Sequence, residues 1–146
     1  EGMVEITSAR PGDLDAVLSL VEAAGLPTSG VADAFPDGYV VARMAGAVIA
    51  AAGLEVHEQH GLLRSVVVAP AYRSASLARK LVARLLETSR ARGLEAVYLL
   101  TTTAPDYFER LGFERATRES APDALKRSSE FASLCPASAV CMAKRL

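Results

Sequence analysis

Residues 62–92 read LLRSVVVAPAYRSASLARKLVARLLETSRAR. A β-branched run, Val66, Val67 and Val68, stops at Pro70. Tyr72-Arg73-Ser74-Ala75-Ser76 follows as a loop. Behind it, Leu77, Ala78, Leu81, Val82, Leu85 and Leu86 recur at helical spacing, with Arg79, Lys80, Arg84, Glu87 and Arg90 on the other side. Small residues crowd the point where strand becomes helix. The first N–H groups of such a helix have no partner within it, and they sit at the positive end of its dipole. With Arg73 and Arg79 alongside, the junction suits a phosphate or pyrophosphate. The spacing therefore predicts a phosphorylated cofactor.

Elements on both sides extend this unit. Gly93 is placed to cap the helix, and residues 96–100 form an apolar run without alternation, as in a strand covered on both faces. Strand, helix and strand of these lengths make a βαβ unit, so strands 62–68 and 96–100 are expected to run parallel. Upstream, residues 39–44 and 47–56 read as strands joined at Ala45-Gly46, and residues 57–61 as a polar turn. Residues 4–7 read as a first strand. A helix opens at Pro11, carries Leu14, Val17, Leu18 and Val21 on one face, and stops at Gly25 and Pro27. A helical turn is expected at residues 32–35. Downstream come a short helix at 105–111 before Gly112, a strand at 113–117, a helical turn at 122–129, and a last strand at 137–144 near a sheet edge. The expected fold class is α/β: one domain with a central mixed sheet flanked by helices.

The chain has 146 residues, which suits one core. Glu1 and Gly2 read as preceding a native start at Met3, so one domain over residues 3–146 is expected. A hydrophobic fraction of 51% and a charged fraction of 23% exclude a disordered chain. Net charge is −1 with no long basic run, which argues against nucleic acid as the main partner. No apolar segment reaches the length of a membrane span, and no charged-then-apolar leader is visible, so a cytoplasmic protein is expected. Two cysteines, Cys135 and Cys141, make no disulfide framework. His57 and His60 stand in one turn without metal-ligand spacing, so no metal is expected. There is no GxxxxGK[ST], no GxGxxG after the first strand and no GxSxG, which removes the P-loop, the dinucleotide fold and the nucleophile elbow.

The segment from Val66-Val67-Val68-Ala69-Pro70-Ala71-Tyr72-Arg73 to Ala78, together with Tyr107-Phe108-Glu109-Arg110-Leu111-Gly112-Phe113, resembles the GNAT family of acyl-CoA N-acyltransferases. The element order is similar as well, so the resemblance covers nearly the whole chain. It implies that Arg73-Ser74-Ala75-Ser76-Leu77-Ala78 stands for the family's pyrophosphate loop, Q/R-x-x-G-x-G/A. Arg73 and Ala78 match, and Ser76 stands where glycine is usual. The fourth and fifth strands splay apart in that family, so the backbone of Val66, Val67 and Val68 is expected to pair with pantetheine. A backbone N–H near Val66 would then polarise the thioester carbonyl. A narrower resemblance, to the arsenic-resistance N-acetyltransferase branch, rests on residues 99–104, 107–113 and 130–139. It implies an amino-acid-like toxin or an organoarsenical as acceptor.

The same resemblance directs attention to single residues. Phe108 occupies the position of a proton-donating tyrosine, four residues before Gly112, cannot donate, and is expected to contact the cofactor. Tyr107 is the adjacent candidate acid, but one helical residue turns a side chain by about 100°, so packing or lining the cofactor channel competes with that role. Glu55 is the candidate base for the acceptor ammonium. His57 reads either as a second such group or as a solvated turn residue. Arg64, among apolar neighbours, wants an oxyanion: an acidic group of the acceptor or Glu55 across the hairpin. Phe35 and Arg64 are expected to bind the acceptor, within a pocket shaped by residues 25–38 and 118–137. Thr101 and Thr103 follow the second parallel strand, where they either touch the cofactor or cap the helix at Pro105; Thr103 is placed for the cap. Val66 and Val68 read as core. Cys135 and Cys141 read as buried structural thiols or as soft ligands for arsenic.

Two functions follow. One is acetyl transfer from acetyl-CoA to the primary amine of a small molecule. The other is an acyl-CoA-binding sensor or interaction module without catalysis, suggested by Ser76 and Phe108. A homodimer through the last strand is expected.

Overall fold

A computed structural model describes residues 4–128, 131 and 139–146. Its strands are β1 (Val4–Ser8), β2 (Tyr39–Met44), β3 (Ala47–His57), β4 (His60–Val68), β5 (Ala96–Thr101), β6 (Glu114–Ala116) and β7 (Val140–Arg145). Its helices are α1 (Leu14–Ala23), α2 (Val31–Ala34), α3 (Leu77–Ala91), α4 (Pro105–Arg110) and α5 (Asp123–Lys126). The seven strands form one mixed sheet in the order β1-β2-β3-β4-β5-β7-β6. Two compact units share the chain: Glu1–Leu54 with Ser65–Leu85, and Glu55–Arg64 with Leu86–Leu146.

In the first unit, β1 and β3 flank β2 antiparallel. Ala45 and Gly46 both take positive φ, 52° and 84°, as the two-residue turn of a twisted hairpin requires. A short 3₁₀ turn at Pro11–Asp13 leads into α1. Val17 and Val21 of α1 pack with Val31, Tyr39, Val41, Ala51 and Val67. Beneath the helix entry, Arg43 donates two hydrogen bonds to Asp13, at 2.8 and 2.6 Å, and both residues are buried. The Arg10 N–H adds a third at 2.8 Å. The Arg43 hydrogen bonds lead the effects that hold the Asp13 carboxyl down to about 2, from an ordinary 3.8, against the opposing push of burial.

Tyr39 is the register partner of Gly53, and the two fit only because position 53 has no Cβ. A Cβ there would lie 2.3 Å from the tyrosine ring. The core residue of β4 in this cluster is Val67, not Val66 or Val68, which are partly buried. Ser65 explains the correction. It takes φ +58° inside the strand, so side chains before and after it do not keep a simple alternation.

In the second unit, β4 and β5 pair in parallel over His60↔Ala96, Gly61↔Val97 and Leu62↔Tyr98, as the βαβ pattern predicts. β7 pairs antiparallel with β5 over Ala96↔Arg145 to Thr101↔Val140, and with β6 over Glu114↔Ala143 to Ala116↔Cys141. The last strand therefore lies near an edge of the sheet, as expected, one strand in from it. The short β6 takes the edge because it returns antiparallel on the far side of β7. Among the described residues, the edge strands are β1 and β6. Cys141 is buried with Leu62, Leu125 and Phe131, and burial pushes its thiol up. Cys135 lies outside the described residues. Among the described residues no helix is long and apolar enough to cross a membrane.

Two predictions follow from this packing. Gly53→Ala forces a methyl group against a buried ring, and overpacking of this kind costs about 1–3 kcal/mol. A urea titration should show it, with an unchanged slope. Asp13 has a depressed folded value, so its contribution is complete above the unfolded value of 3.8 and is lost as pH falls towards about 2. The stability gap between the parent and Asp13→Asn should be constant near neutrality and narrow below a pH of about 4.

Candidate active site

The loop expected to take a pyrophosphate is built from β4 onward. Pro70 stops the strand by removing an N–H, and Pro70–Ala75 winds as a 3₁₀ turn. Ser76 then takes φ 60° and ψ 23°, the left-handed conformation that glycine adopts freely. An L residue pays roughly 1–2 kcal/mol for it. The loop thus has the backbone turn expected of a glycine at this place, made with serine. α3 starts at Leu77, whose side chain is buried, while Arg79 is exposed beside it. The first turn of α3 contains Arg79 and Lys80 and no acidic residue. Arg73 is exposed on the preceding turn, and its Nε donates to the Val68 carbonyl at 3.3 Å. Ala78, in α3, is partly buried.

β4 carries the second feature. Ser65 is 7% exposed, and its hydroxyl lies 3.0 Å from the Tyr39 hydroxyl. Tyr39 itself is 1% exposed. A left-handed residue inside a strand redirects the peptide groups on either side of it, which is how bulges aim backbone donors next to active sites. The next amide along the chain is that of Val66. Phe35, an expected acceptor contact, packs against Tyr39 with ring centroids 5.3 Å apart.

A third group lies in the second unit. Arg64 Nη1 donates to Glu55 Oε2 at 2.7 Å, and His57 Nε2 lies 2.9 Å from Glu55 Oε1. The Arg64 side chain has no exposed surface, whereas those of Glu55 and His57 are 15% and 26% exposed. Of the two readings of Arg64, the internal pair with Glu55 is the one seen. His57 is not a free turn residue, because β3 extends to it and its ring is held by the carboxylate.

On α4, Phe108 is buried against Phe113, centroids 5.9 Å apart. Tyr107 meets Phe108 edge-on at 5.5 Å, and the Arg110 guanidinium lies 5.7 Å from its ring centroid. The expected cap by Thr103 is corrected. Thr101 Oγ1 accepts the Ala104 N–H at 3.1 Å, and Thr103 is exposed. Three residues separate Thr101 from that N–H, the reach of a short side chain folding back on its own turn.

Sequence reasoning missed Tyr39, Gly53 and Ser65. The only signal was the register of two neighbouring strands, which puts an aromatic residue opposite a glycine. A cavity of about 450 Å³ opens beside β5, β6 and β7, lined by His60, Tyr98, Glu114 and Lys144 among others. None of the expected site residues lines it. Among the described residues no three His, Cys, Asp or Glu side chains gather as metal ligands.

Comparison with known proteins shows what the chain is similar to. An amino-acid acetyltransferase of Ectopseudomonas mendocina is 29% identical over 129 residues, 85% of this chain and 30% of that protein. The chain thus spans under a third of the length of this curated relative. Among solved structures, N-acetylglutamate synthase from Neisseria gonorrhoeae, complexed with coenzyme A and N-acetyl-glutamate, superposes with a TM-score of 0.84 at 18% identity. That match covers 100% of this chain and 36% of the other. Rv2747 from Mycobacterium tuberculosis, in complex with CoA and NLQ, superposes at 0.83 with 24% identity over 97% of this chain and 99% of its own. These likenesses show the fold. The acetyltransferase (GNAT) family model matches residues 15–113, the span from α1 through the Pro70–Ala75 turn and α3 to Phe113, and the chain belongs to that family.

Proposed function

We propose that this protein transfers the acetyl group of acetyl-CoA to the primary amine of an amino-acid-like small molecule. The observation that carries the reading is the start of α3. Arg79 and Lys80 stand in a first turn without any acidic residue, and Arg73 is exposed just ahead of it. Cations at a helix N-terminus oppose the dipole, at a cost of about 0.3–1 kcal/mol each. A bound pyrophosphate reverses that sign, and the Ser76 turn delivers the backbone close enough to receive it.

In this reading the donor lies along β4. The backbone of Val66, Val67 and Val68 pairs with the pantetheine, and Arg73, Ser74, Ala75, Ser76, Leu77, Ala78 and Arg79 surround the pyrophosphate. The amide entering Val66 donates to the thioester carbonyl and stabilises the negative charge that develops on it. Glu55 accepts the proton of the acceptor ammonium, directly or through water, and Arg64 and His57 hold its carboxylate in place. The amine nitrogen then bonds to the carbonyl carbon, the C–S bond breaks, and the thiolate takes a proton. Solvent supplies that proton in our reading, with Tyr107 the side chain to be tested against it.

The acceptor class rests on the amino-acid acetyltransferase relative. An organoarsenical amine belongs in the acceptor panel on the strength of the narrower resemblance, although residues 130 and 132–138 of that stretch lie outside the described residues.

Thermal shift and thiol release test the reading together. CoA at a hundredfold excess over its Kd should stabilise the fold by about 2.7 kcal/mol. Arg73→Glu should abolish the shift by putting a carboxylate beside the phosphates. Thiol release from acetyl-CoA should depend on an amine from an amino-acid panel. Binding without release by any amine would favour the acyl-CoA sensor instead. Tyr107→Phe should keep turnover within a few-fold of the parent. General acid catalysis is worth about 10²–10⁴-fold, so a hundredfold loss with the CoA shift intact would make Tyr107 the acid.

A further inference from the structure

We infer that Tyr39 is a positioning residue for acyl transfer: its hydroxyl, paired with Ser65 Oγ, holds the left-handed step in β4 that aims the amide of Val66. The inference rests on the reading above, in which that amide meets the thioester carbonyl.

Four observations converge. Ser65 sits at φ +58° within a strand, a conformation uncommon for a residue with a Cβ. The Tyr39 and Ser65 hydroxyls are 3.0 Å apart, and both residues are buried. The Tyr39 ring is set by its own surroundings: Gly53 leaves room for it on one side, and Phe35 meets it on another. The ring also belongs to the cluster of Val17, Val21 and Val67, so it is fixed from α1 as well as from β3.

Packing alone explains the ring but not the oxygen. A phenylalanine would fill the same volume over Gly53 without burying a polar group. A tyrosine hydroxyl taken out of water must be paired, and it meets the side chain of the one left-handed residue within β4. A serine has two ways to leave that conformation: a rotation of its φ into the extended region, or a shift of the strand. Either one swings the following amide. Tying Oγ to an immobile phenol opposes both. The arrangement resembles a set screw: Gly53 clears the bore, Tyr39 is the screw, and Ser65 is the part held.

The test is made on the full chain, with kcat and KM for both substrates, the CoA thermal shift, and the melting temperature. Tyr39→Phe should lower kcat about ten- to a hundredfold. That is less than the roughly 10²–10³-fold loss of deleting an oxyanion donor, because the amide is misdirected and not removed. KM for acetyl-CoA and the CoA shift should stay within threefold of the parent, since the phosphate loop is untouched. Ser65→Gly should then rescue Tyr39→Phe to within a few-fold of the parent, because glycine takes positive φ without help. A purely structural loss would not be restored by removing a second hydroxyl.

The outcomes separate. If the parent releases thiol and Tyr39→Phe keeps kcat within threefold, the positioning role is wrong and acyl transfer stands. If Tyr39→Phe is slow and Ser65→Gly restores nothing, the positioning role is again wrong. If the parent binds CoA and releases no thiol with any amine, the acyl-transfer reading fails and this inference with it. Should Tyr39→Phe lose its fold, Ser65→Ala and Ser65→Gly decide in its place. A slow alanine variant beside a near-parent glycine variant supports the role, and equal rates overturn it.

Discussion

Tyr39 lies across Gly53, and much of the first unit depends on that contact. The absence of one Cβ lets a ring settle against β3, where it is buried by α1, by Phe35 and by Val67 of β4. An aromatic side chain of this kind combines a large apolar area with one polar end. The apolar part joins the helix layer to three strands. The polar end reaches Ser65 and makes an otherwise strained backbone step tenable, because a sparsely populated φ persists only where its surroundings over-determine it. Core packing and the geometry of β4 are therefore one problem at this position. A change that loosens the ring reaches the strand backbone without touching it directly.

The charges of the same unit divide into two kinds. Asp13 and Arg43 are buried and matched, with two hydrogen bonds between them and the Arg10 N–H on the same carboxylate. Burial of one partner alone would be strongly unfavourable, so the pair is a structural fixture of the α1 entry. Arg73, Arg79 and Lys80 are the opposite case: exposed, of one sign, and gathered where the helix dipole is already positive. In the proposed function, that arrangement receives an anion that arrives from outside. The same argument removes the difficulty posed by Ser76. The glycine usual in the loop supplies a backbone conformation, and Ser76 adopts it.

The elements were legible where a periodic pattern met an unambiguous stop. α3 announces itself by its spaced leucines, and β2 lies at Tyr39–Met44 as read. The parallel pairing of β4 with β5 follows from the βαβ spacing. What escaped is set by contacts between segments distant in sequence. Nothing in LLRSVVV marks Ser65 as left-handed, since the residue that holds it is Tyr39, 26 positions away. Once Ser65 is given the wrong conformation, Val66 and Val68 are assigned to the core in place of Val67. The place of the last strand near an edge was legible, but that β6 and not β7 lies outermost is decided by which of them β5 accepts as a neighbour. At the site, Glu55, His57 and Arg64 were each visible as chemistry. Their assembly into one hydrogen-bonded group was not, because i to i+2 spacing on a strand permits contact without requiring it.

The departures from the family pattern bear unequally on the chemistry. Phe108 is buried between Tyr107 and Phe113, and a phenol oxygen placed there would need a partner or would cost about 1–3 kcal/mol. Packing of α4 is thus sufficient reason for an aromatic residue without a hydroxyl. The step it leaves unassisted is also the easier one. A thiolate is a stable leaving group, and its conjugate acid has a pKa of about 8.5, so near neutrality water or buffer protonates it without a positioned donor. The acceptor amine is in the harder position. As an ammonium it has no lone pair, and the reaction cannot begin until a proton is lost. In the proposed reaction the demand on the protein therefore falls on Glu55. The structure gives Glu55 a fully enclosed guanidinium on one oxygen and an imidazole on the other. Each carboxylate oxygen keeps a further acceptor direction, and the side chain keeps some exposed surface. A carboxylate pinned on both oxygens but open on one face can receive a proton in a defined direction, which a solvated carboxylate at a strand end cannot.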